Sequence, residues 1–425
     1  MVNASGYALI DQNSSGMGNS FAGAAAVAED ASTIYFNPAG MSYLPDSQFV
    51  AAGQAIKANV EFNNNDSKTI GRLGTPTGLS GGNGGDPADW KFLPNFYYAK
   101  AVTDSIHLGL GVNSPFGLET QYDSSWIGRY QALNSKLQTI NINPSVSFKA
   151  NDRLSLGAGI NIQYANTTLS NALDLGTICY GKGNPATCSA WGLTPQNSDG
   201  NVSIKGDDWG VGYNLGVIFR PIESTRIGVA YRSRISYTLK GNATFSNIAA
   251  PLAGVFPNSA VTADFVVPDS VSTSLVHQLN KQWDLLADAT WTHWSLFKQL
   301  KVVATSGTVL NNQTENWQDT MRYSIGASYR YTEKLKFRVG SAYDQAPVKD
   351  AYRTARIPDN NRIWMSVGAN YKLTSSSSFD AGYTHIFINN APINQGAVGT
   401  TVTGQLQGSY NSNIDVFSIQ YTHTF

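Results

Sequence analysis

The feature that most constrains this chain is an alternation of apolar and polar residues that recurs along most of its length. Every second residue from Leu154 to Tyr164 is apolar, and the residues between them are small or polar. This period of two places side chains on opposite faces of a β-strand. The eight clearest apolar faces contain no Asp, Glu, Lys or Arg, which predicts an all-β protein whose strands each turn one face to an apolar environment. These faces begin at Leu154, Trp209, Ile227, Trp283, Met321, Leu335, Ile363 and Phe379.

Short polar breaks alternate with long, variable segments between the strands. Two of the long segments are 170–208 and 241–269. Tight turns on one side and long loops on the other are typical of an outer-membrane β-barrel. Counting through the breaks predicts a transmembrane antiparallel barrel of about fourteen strands over residues 47–425. The short breaks are 103–105, 150–152, 221–225, 280–282, 332–334 and 374–378.

A soluble β-sandwich is the alternative, because it also alternates. Many of these strands run for ten residues or more, which suits a tilted crossing of a bilayer. The C-terminal residue, Phe425, follows an alternating apolar face and resembles the assembly signal of outer-membrane barrels. We therefore expect the barrel assembly machinery as a partner, outer-membrane lipid around the wall, and a monomer. Aromatic residues at strand ends are predicted to form girdles at the membrane surfaces: Trp283, Trp291, Trp294, Tyr329, Tyr331, Tyr371 and Tyr383.

The composition excludes other classes of protein. The formal net charge is zero and 14% of the residues are charged, so the chain lacks the basic surface that nucleic-acid binding requires. It contains no run of eighteen apolar residues, which excludes a transmembrane helix. The segment Val2–Ala4 resembles the end of a signal peptide. We expect the mature chain to begin near Ser5, after the signal has been removed.

The two cysteines, Cys179 and Cys188, lie in a polar stretch rich in glycine and proline. A disulfide within a loop is expected, which indicates an oxidising compartment. Two free thiols are the alternative. No His or further Cys lies near them in the sequence, and we expect no metal site and no cofactor.

Residues 5–46 do not alternate, and we predict that they form an N-terminal hatch inside the barrel. The stretch from Ser14 to Ala26 is small and flexible, and apolar residues such as Phe21 and Phe36 suggest packing. A barrel of fourteen strands has a lumen too wide for its own side chains to fill. A plug would close it. A disordered tail is the alternative.

Several motifs resemble the long-chain fatty acid transporter (FadL) family of outer-membrane proteins, which includes toluene and xylene uptake channels. They occur in family order over nearly the whole chain, so that together they are specific although each alone is weak. They are SSGMGNSFAG (14–23), AEDAS (28–32), NPAG (37–40), NSPFGL (113–118), WTHWSLF (291–297), WQDTMRY (317–323), AYDQAPV (342–348) and RIPDNNR (356–362).

The resemblance implies a barrel with a hatch and an inward kink in the third strand. Ligand would be caught between outer loops, enter an apolar pocket beside the hatch, and leave sideways into the membrane. Proline lacks an N–H for the ladder and glycine often marks a bulge, so Pro115 and Gly117 fit a kink. An ordinary strand end is the alternative. The resemblance places ligand contacts at Phe21, Phe36, Asn37, Pro38, Ala39, Ser114, Pro115, Phe116, Gly117 and Leu118.

The ligand is less constrained than the fold. Fatty-acid transporters of this family pair a basic residue with the carboxylate, yet residues 167–171 and 311–315 contain no Lys or Arg. Neutral hydrocarbons such as toluene or xylene are therefore the alternative to long-chain fatty acids. Inward-facing arginines are the predicted carboxylate partners: Arg232, Arg234, Arg322 and Arg338.

The outer loops offer a further apolar surface. Residues 247–257 are apolar, and residues 169–175 together with Ile178 could form a facing wall. Capture of ligand and plain packing of one loop on another are both consistent with this pattern.

The sequence predicts a passive channel in the bacterial outer membrane for small hydrophobic molecules, and no enzyme. None of the five histidines belongs to a recognisable Ser/Asp constellation. A general porin, an outer-membrane enzyme and an adhesive barrel are the remaining alternatives.

Overall fold

Fourteen strands form one closed antiparallel barrel in the computed structural model, which describes residues 5–70, 75–398 and 402–425. The expected cleavage site at Val2–Ala4 lies outside these residues. Several strands are interrupted once. The strands are β1 (Ser47–Asn64), β2 (Lys91–Ala101), β3 (Ile106–Asn113 and Gly117–Gln121), β4 (Asn134–Lys149), β5 (Leu154–Asp174), β6 (Asp199–Ile222), β7 (Thr225–Arg232 and Ile235–Ser246), β8 (Ser259–Val267 and Ser270–Gln278), β9 (Trp283–Thr292 and Gln299–Ala304), β10 (Val309–Thr314 and Thr320–Arg330), β11 (Leu335–Asp344), β12 (Arg362–Lys372), β13 (Ser377–Ile388 and Ala391–Gln395) and β14 (Leu406–Thr424).

The barrel closes because β1 pairs with β14 on one side and with β2 on the other. Consecutive strands pair throughout, and the six predicted tight turns all join neighbouring strands at one end of the barrel. A short hairpin, Lys68–Ile70 with Pro76–Gly78, stands outside the barrel. None of the helices in the described residues is long and apolar enough to cross a membrane.

The two faces of the wall are opposite in character to those of a soluble sandwich. Outward side chains such as Val211 and Ile325 are each 68% exposed. Inward asparagines are buried and bond across the strands: the Asn141 amide donates to Asn161 Oδ1 and the Asn143 amide donates to Asn214 Oδ1, each at 3.0 Å. The charge-free faces therefore look outward, where a bilayer meets them. Among the predicted girdle residues Trp294 is an exception, because it is 1% exposed and lies in the lumen.

The apolar residues that alternate from Ile227 to Leu239 would share one outward face of an unbroken strand, and this expectation is wrong. β7 is interrupted at Ser233 and Arg234, and the extra residue reverses which side chains face inward. Val229 is exposed, whereas Leu239 beyond the break is buried. The inward placement of Arg234 is also wrong, because its side chain is 52% exposed and lies 3.6 Å from Asp269.

Residues 5–46 lie inside the barrel and are almost entirely buried. Their elements are α1 (Ser14–Met17), α2 (Ala24–Val27), α3 (Thr33–Phe36) and the 3-10 helix Pro38–Tyr43. Glycines on the wall admit this segment at close range. A Cβ at Gly216 would lie 1.8 Å from Asn37 Oδ1, and one at Gly228 would lie 1.9 Å from the Ala25 carbonyl.

The outer loop between β5 and β6 contains α4 (Leu175–Lys182) and α5 (Pro185–Ala190), which a Cys179–Cys188 disulfide joins. Leu252, from the 3-10 helix Ala250–Val255 in the β7–β8 loop, packs in the same apolar cluster as both cysteines. The apolar stretch 247–257 thus packs on the neighbouring loop.

Candidate ligand site

An apolar cavity of about 80 Å³ lies in the outer half of the lumen. The reversal in β7 contributes to it, because it turns Leu239 inward. A concave, mostly apolar cavity with a few polar groups is what small hydrophobic ligands occupy in proteins. Most of its wall comes from seven consecutive strands, β3 to β9, and from Phe297 in the break in β9: Leu118, Leu137, Leu169, Ile204, Leu239, Val261, Phe265, Phe297 and Val302.

A cluster of aromatic rings around Tyr7 lies at one side of this cavity. The Tyr7 ring centroid is 4.6 Å from that of Trp294, 5.5 Å from that of Trp317 and 5.4 Å from that of Phe265. A second cavity of about 130 Å³ begins beyond the cluster, and its lining includes Leu9, Phe36 and Phe116 together with Pro115 and Arg232. The Tyr7 cluster therefore lies between two lumen cavities.

The third strand is interrupted where the sequence predicts a kink. β3 pairs with β4 up to Asn113 opposite Asn141, and pairing resumes with Gly117 opposite Gln138. Between them, the Phe116 N–H donates to Thr139 Oγ1 at 3.0 Å, so a side chain replaces a ladder partner. Phe116 is buried and its ring centroid is 6.0 Å from that of Tyr7. The segment thus leaves the wall toward the lumen.

This interruption opens a seam between β2 and β3. Their ladder runs from Ala101 to Phe96 and does not reach the second part of β3, Gly117–Gln121. The N-terminal segment occupies the position beside it. Leu9 N–H donates to the Pro115 carbonyl at 2.8 Å, and Gly117 N–H donates to the Tyr7 carbonyl at 2.9 Å. Residues 7–9 therefore act as a short strand that completes the pairing of the kink.

The same N-terminal segment is anchored to the outer loop between β11 and β12. Gly6 N–H donates to Asp359 Oδ2 at 2.8 Å, and the Ser5 hydroxyl donates to the Gln345 carbonyl. Gly6 has a φ of +67°, and a Cβ there would lie 2.8 Å from the Trp317 ring. One short segment thus contacts the outer loop, the aromatic cluster and the kink.

The Asn37-Pro38-Ala39 motif fastens the hatch to itself and to the wall. The Asn37 amide donates to the Ala25 carbonyl at 2.7 Å and to the Val217 carbonyl of β6 at 3.1 Å. Asn37 Oδ1 accepts from Ala39 N–H at 3.0 Å, where Pro38 begins a 3-10 helix. Asn37, Pro38 and Ala39 thus make the contacts of a structural motif, although Pro38 also lines the second cavity.

Phe21 and Phe36 stack within the hatch, with ring centroids 5.8 Å apart. Phe36 lines both the second cavity and a polar cavity of about 230 Å³ on the side of the tight turns. Phe21 lines the polar cavity but not the second cavity. The pair therefore lies between these cavities.

The four predicted arginines do not converge on one place. Arg232 lines the second cavity and donates to Asn161 Oδ1 at 2.6 Å and to the Tyr35 carbonyl at 2.7 Å. Arg322 lines the same cavity and donates to the Ser20 carbonyl at 2.8 Å. Arg338 lies elsewhere, 2.8 Å from both Glu29 and Asp380.

A different arginine, Arg356, lines the apolar cavity. It lies in the β11–β12 loop and donates to Ser135 Oγ at 3.0 Å and to the Asn134 carbonyl at 3.1 Å. Arg356 belongs to a motif that resembles the family, but nothing in the sequence indicates that this loop reaches β4. Only the closed barrel brings the two together.

Glu315 lines the same cavity, and Trp317 Nε1 donates to its carboxyl at 3.0 Å. Burial raises the pKa of Glu315 to about 8, although Arg356 opposes the shift. Burial lowers the pKa of Arg356 to about 10. At pH 7 Glu315 is therefore mostly neutral and Arg356 is charged, which gives the cavity one positive group among apolar walls.

The family model described as outer membrane protein transport protein (OMPP1/FadL/TodX) matches residues 1–425. The chain belongs to this family. It is accordingly an outer-membrane protein, as predicted, and the resemblance to the fatty acid transporters is confirmed.

Relatives within the OMPP1/FadL/TodX family cover the chain almost completely. A putative outer membrane protein of Neisseria meningitidis is 32% identical over 100% of this chain and 95% of its own length. The long-chain fatty acid transport protein of Escherichia coli is 28% identical over 92% of this chain and 90% of its own length.

Solved structures of the OMPP1/FadL/TodX family share the fold. A Pseudomonas aeruginosa FadL homologue aligns with a TM-score of 0.88 and 27% identity, covering 98% of this chain and 99% of its own. The toluene transporter TodX of P. putida aligns with a TM-score of 0.69 at 20% identity, covering 93% of this chain and 94% of its own. The second likeness supports the fold alone.

Proposed function

We propose that this protein is a channel for the passive uptake of hydrophobic compounds, chiefly long-chain fatty acids, across the outer membrane. The proposal rests on the position of the N-terminal segment 5–9. The Tyr7 side chain of this segment lines an apolar cavity, and its backbone completes the strand pairing of the third-strand kink. The E. coli relative is a long-chain fatty acid transport protein. A channel that needs no energy source fits this arrangement better than a porin or an enzyme does.

Transport would begin at the outer loops and continue into the apolar cavity. A ligand that fills this cavity competes with the Tyr7 ring for the same apolar surface. Displacing Tyr7 would join the two cavities and break the two hydrogen bonds that residues 7–9 make with the kink. The seam between β2 and β3 would then open to the membrane.

Lateral exit is the favourable direction for such a ligand. Each methylene withdrawn from water is worth about 0.8 kcal/mol, so a long acyl chain gains by entering lipid rather than the aqueous periplasm. The outward neighbours of the kink, Leu110 and Ile140, are apolar and exposed. The ligand therefore moves from one apolar surface to the next without crossing water.

We propose that residues 5–46 are the hatch and that residues 47–425 are the transmembrane barrel. In this scheme Phe21, Phe36 and residues 37–39 hold the plug, while residues 114–118 form the exit. Phe425 would be read by the barrel assembly machinery, and the barrel would act as a monomer in outer-membrane lipid.

For the ligand headgroup we propose Arg356 as the partner of the fatty-acid carboxylate. It is charged, it lines the apolar cavity, and its neighbour Glu315 is neutral at pH 7. Among the predicted arginines, Arg338 already faces two carboxylates, whereas Arg232 and Arg322 line the second cavity and could receive the carboxylate later.

A neutral hydrocarbon is the second candidate ligand. The observation that favours it is that Arg356 is already hydrogen-bonded to β4 and to the Ser170 carbonyl at 3.3 Å. A ligand without a carboxylate would leave those bonds intact. The toluene transporters among the structural neighbours have the same fold.

Uptake by a host that lacks its own transporter tests the proposal, with labelled oleate and labelled toluene measured in parallel. Replacing Pro115 and Gly117 together with residues that continue the ladder should close the exit and reduce uptake of whichever ligand is transported. Unchanged uptake by this folded double variant would exclude lateral exit at the kink.

The ligand class is tested in the same cells with Arg356→Gln. A charge-assisted hydrogen bond is worth about 1.5–3 kcal/mol, so we expect oleate affinity to fall by about tenfold or more while toluene entry is unchanged. Lys349→Gln, which removes an exposed cation from the same loop, is the matched control. Equal uptake of oleate by both variants would exclude Arg356 as the partner of the carboxylate, and uptake of toluene without oleate by the intact protein would favour the neutral hydrocarbon.

A further inference from the structure

The wall contains a second broken seam, between β6 and β7. These strands pair at Asn214 opposite Arg232, and pairing resumes at Asp207 opposite Lys240. Six residues of β6 thus face seven residues of β7 without a ladder between them. Both strands keep their other neighbours here, because Gly210 pairs with β5 and Ile235 pairs with β8. The break is confined to one seam.

Polar groups close both ends of this seam. Tyr213 N–H donates to Ser233 Oγ at 2.8 Å, and Ser233 N–H donates to the Tyr213 carbonyl at 2.9 Å. At the other end, Thr238 N–H donates to the Asp208 carboxylate at 2.8 Å. An unsatisfied backbone group in hydrocarbon costs several kcal/mol, so side-chain partners at both margins mark a built feature.

Two apolar side chains fill the space between these margins. A Cβ at Gly210 would lie 2.3 Å from Ile235 Cγ2 and 2.8 Å from the Tyr237 ring, and one at Gly212 would lie 2.7 Å from Ile235 Cγ1. Ile235 and Tyr237 therefore lean across the inner face of β6, where two glycines make room. Larger residues on β6 would exclude them.

These two side chains also pack in the apolar cluster beside the ligand site. Ile235 is 4% exposed and Tyr237 is 3% exposed, and both pack in the same apolar cluster as Tyr7 and Phe297. On the outer side of the seam, Val211 is 68% exposed to the membrane. Trp209, two residues nearer the outer loops, packs on Tyr164 as expected for the outer aromatic girdle. The seam thus lies just inside the outer surface of the membrane.

We propose that the β6–β7 seam is a second lateral opening, through which apolar ligand passes between the lumen site and the outer leaflet. Ile235 and Tyr237 close it in this structure, and rotation of their side chains opens it without breaking any strand pairing. The inference rests on the proposed transport function and extends it, because the third-strand kink is then one of two exits on opposite sides of the apolar cavity.

Paired cysteines can lock each exit separately. Ala8 and Phe116 lie opposite each other in an antiparallel bridge. The hydrogen bonds are made by the residues on either side of them, so Ala8 and Phe116 are a non-hydrogen-bonded pair. Such pairs have the shorter Cα–Cα distance in antiparallel strands. Ala8→Cys with Phe116→Cys therefore locks the kink. Gly212→Cys with Ile235→Cys locks the second seam, because the new Cβ at position 212 falls beside the Ile235 side chain.

Oleate uptake by cells carrying each locked protein distinguishes the two exits. We expect the kink lock alone to leave part of the uptake, the two locks together to reduce it to the vector-only level, and a reductant to restore it. Intact protein treated with the reductant is the control, since the native Cys179–Cys188 bond is also reduced. Complete loss with the kink lock alone, or no further loss with both locks, would overturn the second opening.

A variant that widens the seam provides a test in which a loss of uptake through misfolding cannot be mistaken for closure of an exit. In the kink-locked background, Tyr237→Ala should raise the residual uptake, and heat-modifiable gel mobility should show a folded barrel. No rise from the folded variant would also contradict the proposal. If the intact protein transports neither oleate nor toluene, the proposed function itself fails, and this result is separate from any effect of the locks.

Discussion

Single residues at the N-terminal segment couple parts of the molecule that lie far apart in sequence. Tyr7 contacts rings from β8 and from the breaks in β9 and β10, and its carbonyl accepts from Gly117 of β3. The interruption of β3 at Pro115 and Gly117 could be predicted from the sequence, because the missing N–H of proline and the missing side chain of glycine affect the strand where they occur. Arg356 could not, since its partners on β4 are more than 200 residues away.

Gly6→Ala should release the N-terminal segment from the aromatic cluster. Its φ of +67° and the 2.8 Å approach of a Cβ to Trp317 leave no room for a methyl group, and the left-handed conformation alone costs about 1–2 kcal/mol. We expect a cysteine at Ala8 to react faster with a maleimide in this variant. Gly254→Ala, where no atom lies within 4 Å, is the control. Equal labelling rates would show that Gly6 does not hold the segment.

Binding of a carboxylate ligand should weaken as the pH rises from 7 to 9. Burial raises the pKa of Glu315 to about 8, so its carboxyl becomes negative over this range beside the site for the ligand carboxylate. We expect decanoate affinity to fall by about tenfold, the effect of about 1.4 kcal/mol of repulsion. Titration calorimetry in detergent measures it. Glu315→Gln should abolish the dependence, and a dependence that persists in this variant would assign it to another group.

At the scale of elements, a period of two was sufficient to predict the strands and their tight turns. It could not reveal the break in β7, because the alternation of residue types continues unchanged across Ser233 and Arg234 while the faces exchange. Ile235, Tyr237 and Leu239 are apolar as lipid-facing residues would be, yet they line the lumen. The alternation shows that a face is apolar, but it does not show whether that face contacts lipid or the apolar interior of the lumen.

The hatch can be tested as an element through Asn37→Ala. This change removes the bonds to the Ala25 and Val217 carbonyls, and each buried group left without a partner costs about 1–3 kcal/mol. We expect more frequent open events in planar bilayers, with a barrel that stays folded on gels. Asn312→Ala, at an exposed outer position, should behave as the intact protein. A folded Asn37→Ala protein that stays closed would separate this motif from plug stability.

At the scale of the whole molecule, the barrel places its apolar faces outward and fills its lumen with its own N-terminus. The hatch packs closely against the wall because several strands have a glycine where hatch atoms occupy the space that a side chain would take, as at Gly228 and Gly340. The closed lumen leaves apolar cavities and broken seams as the routes across the membrane. A molecule built in this way should exclude water-soluble solutes and admit hydrophobic ones.

The most direct test of this account measures entry of labelled oleate and of a labelled disaccharide into the same cells, in a host without its own porins or hydrophobic-compound transporters. Cells producing this protein should take up oleate well above the vector-only level and take up the disaccharide no faster than vector-only cells. Rapid entry of the disaccharide with no gain in oleate uptake would contradict the account and identify an open hydrophilic pore.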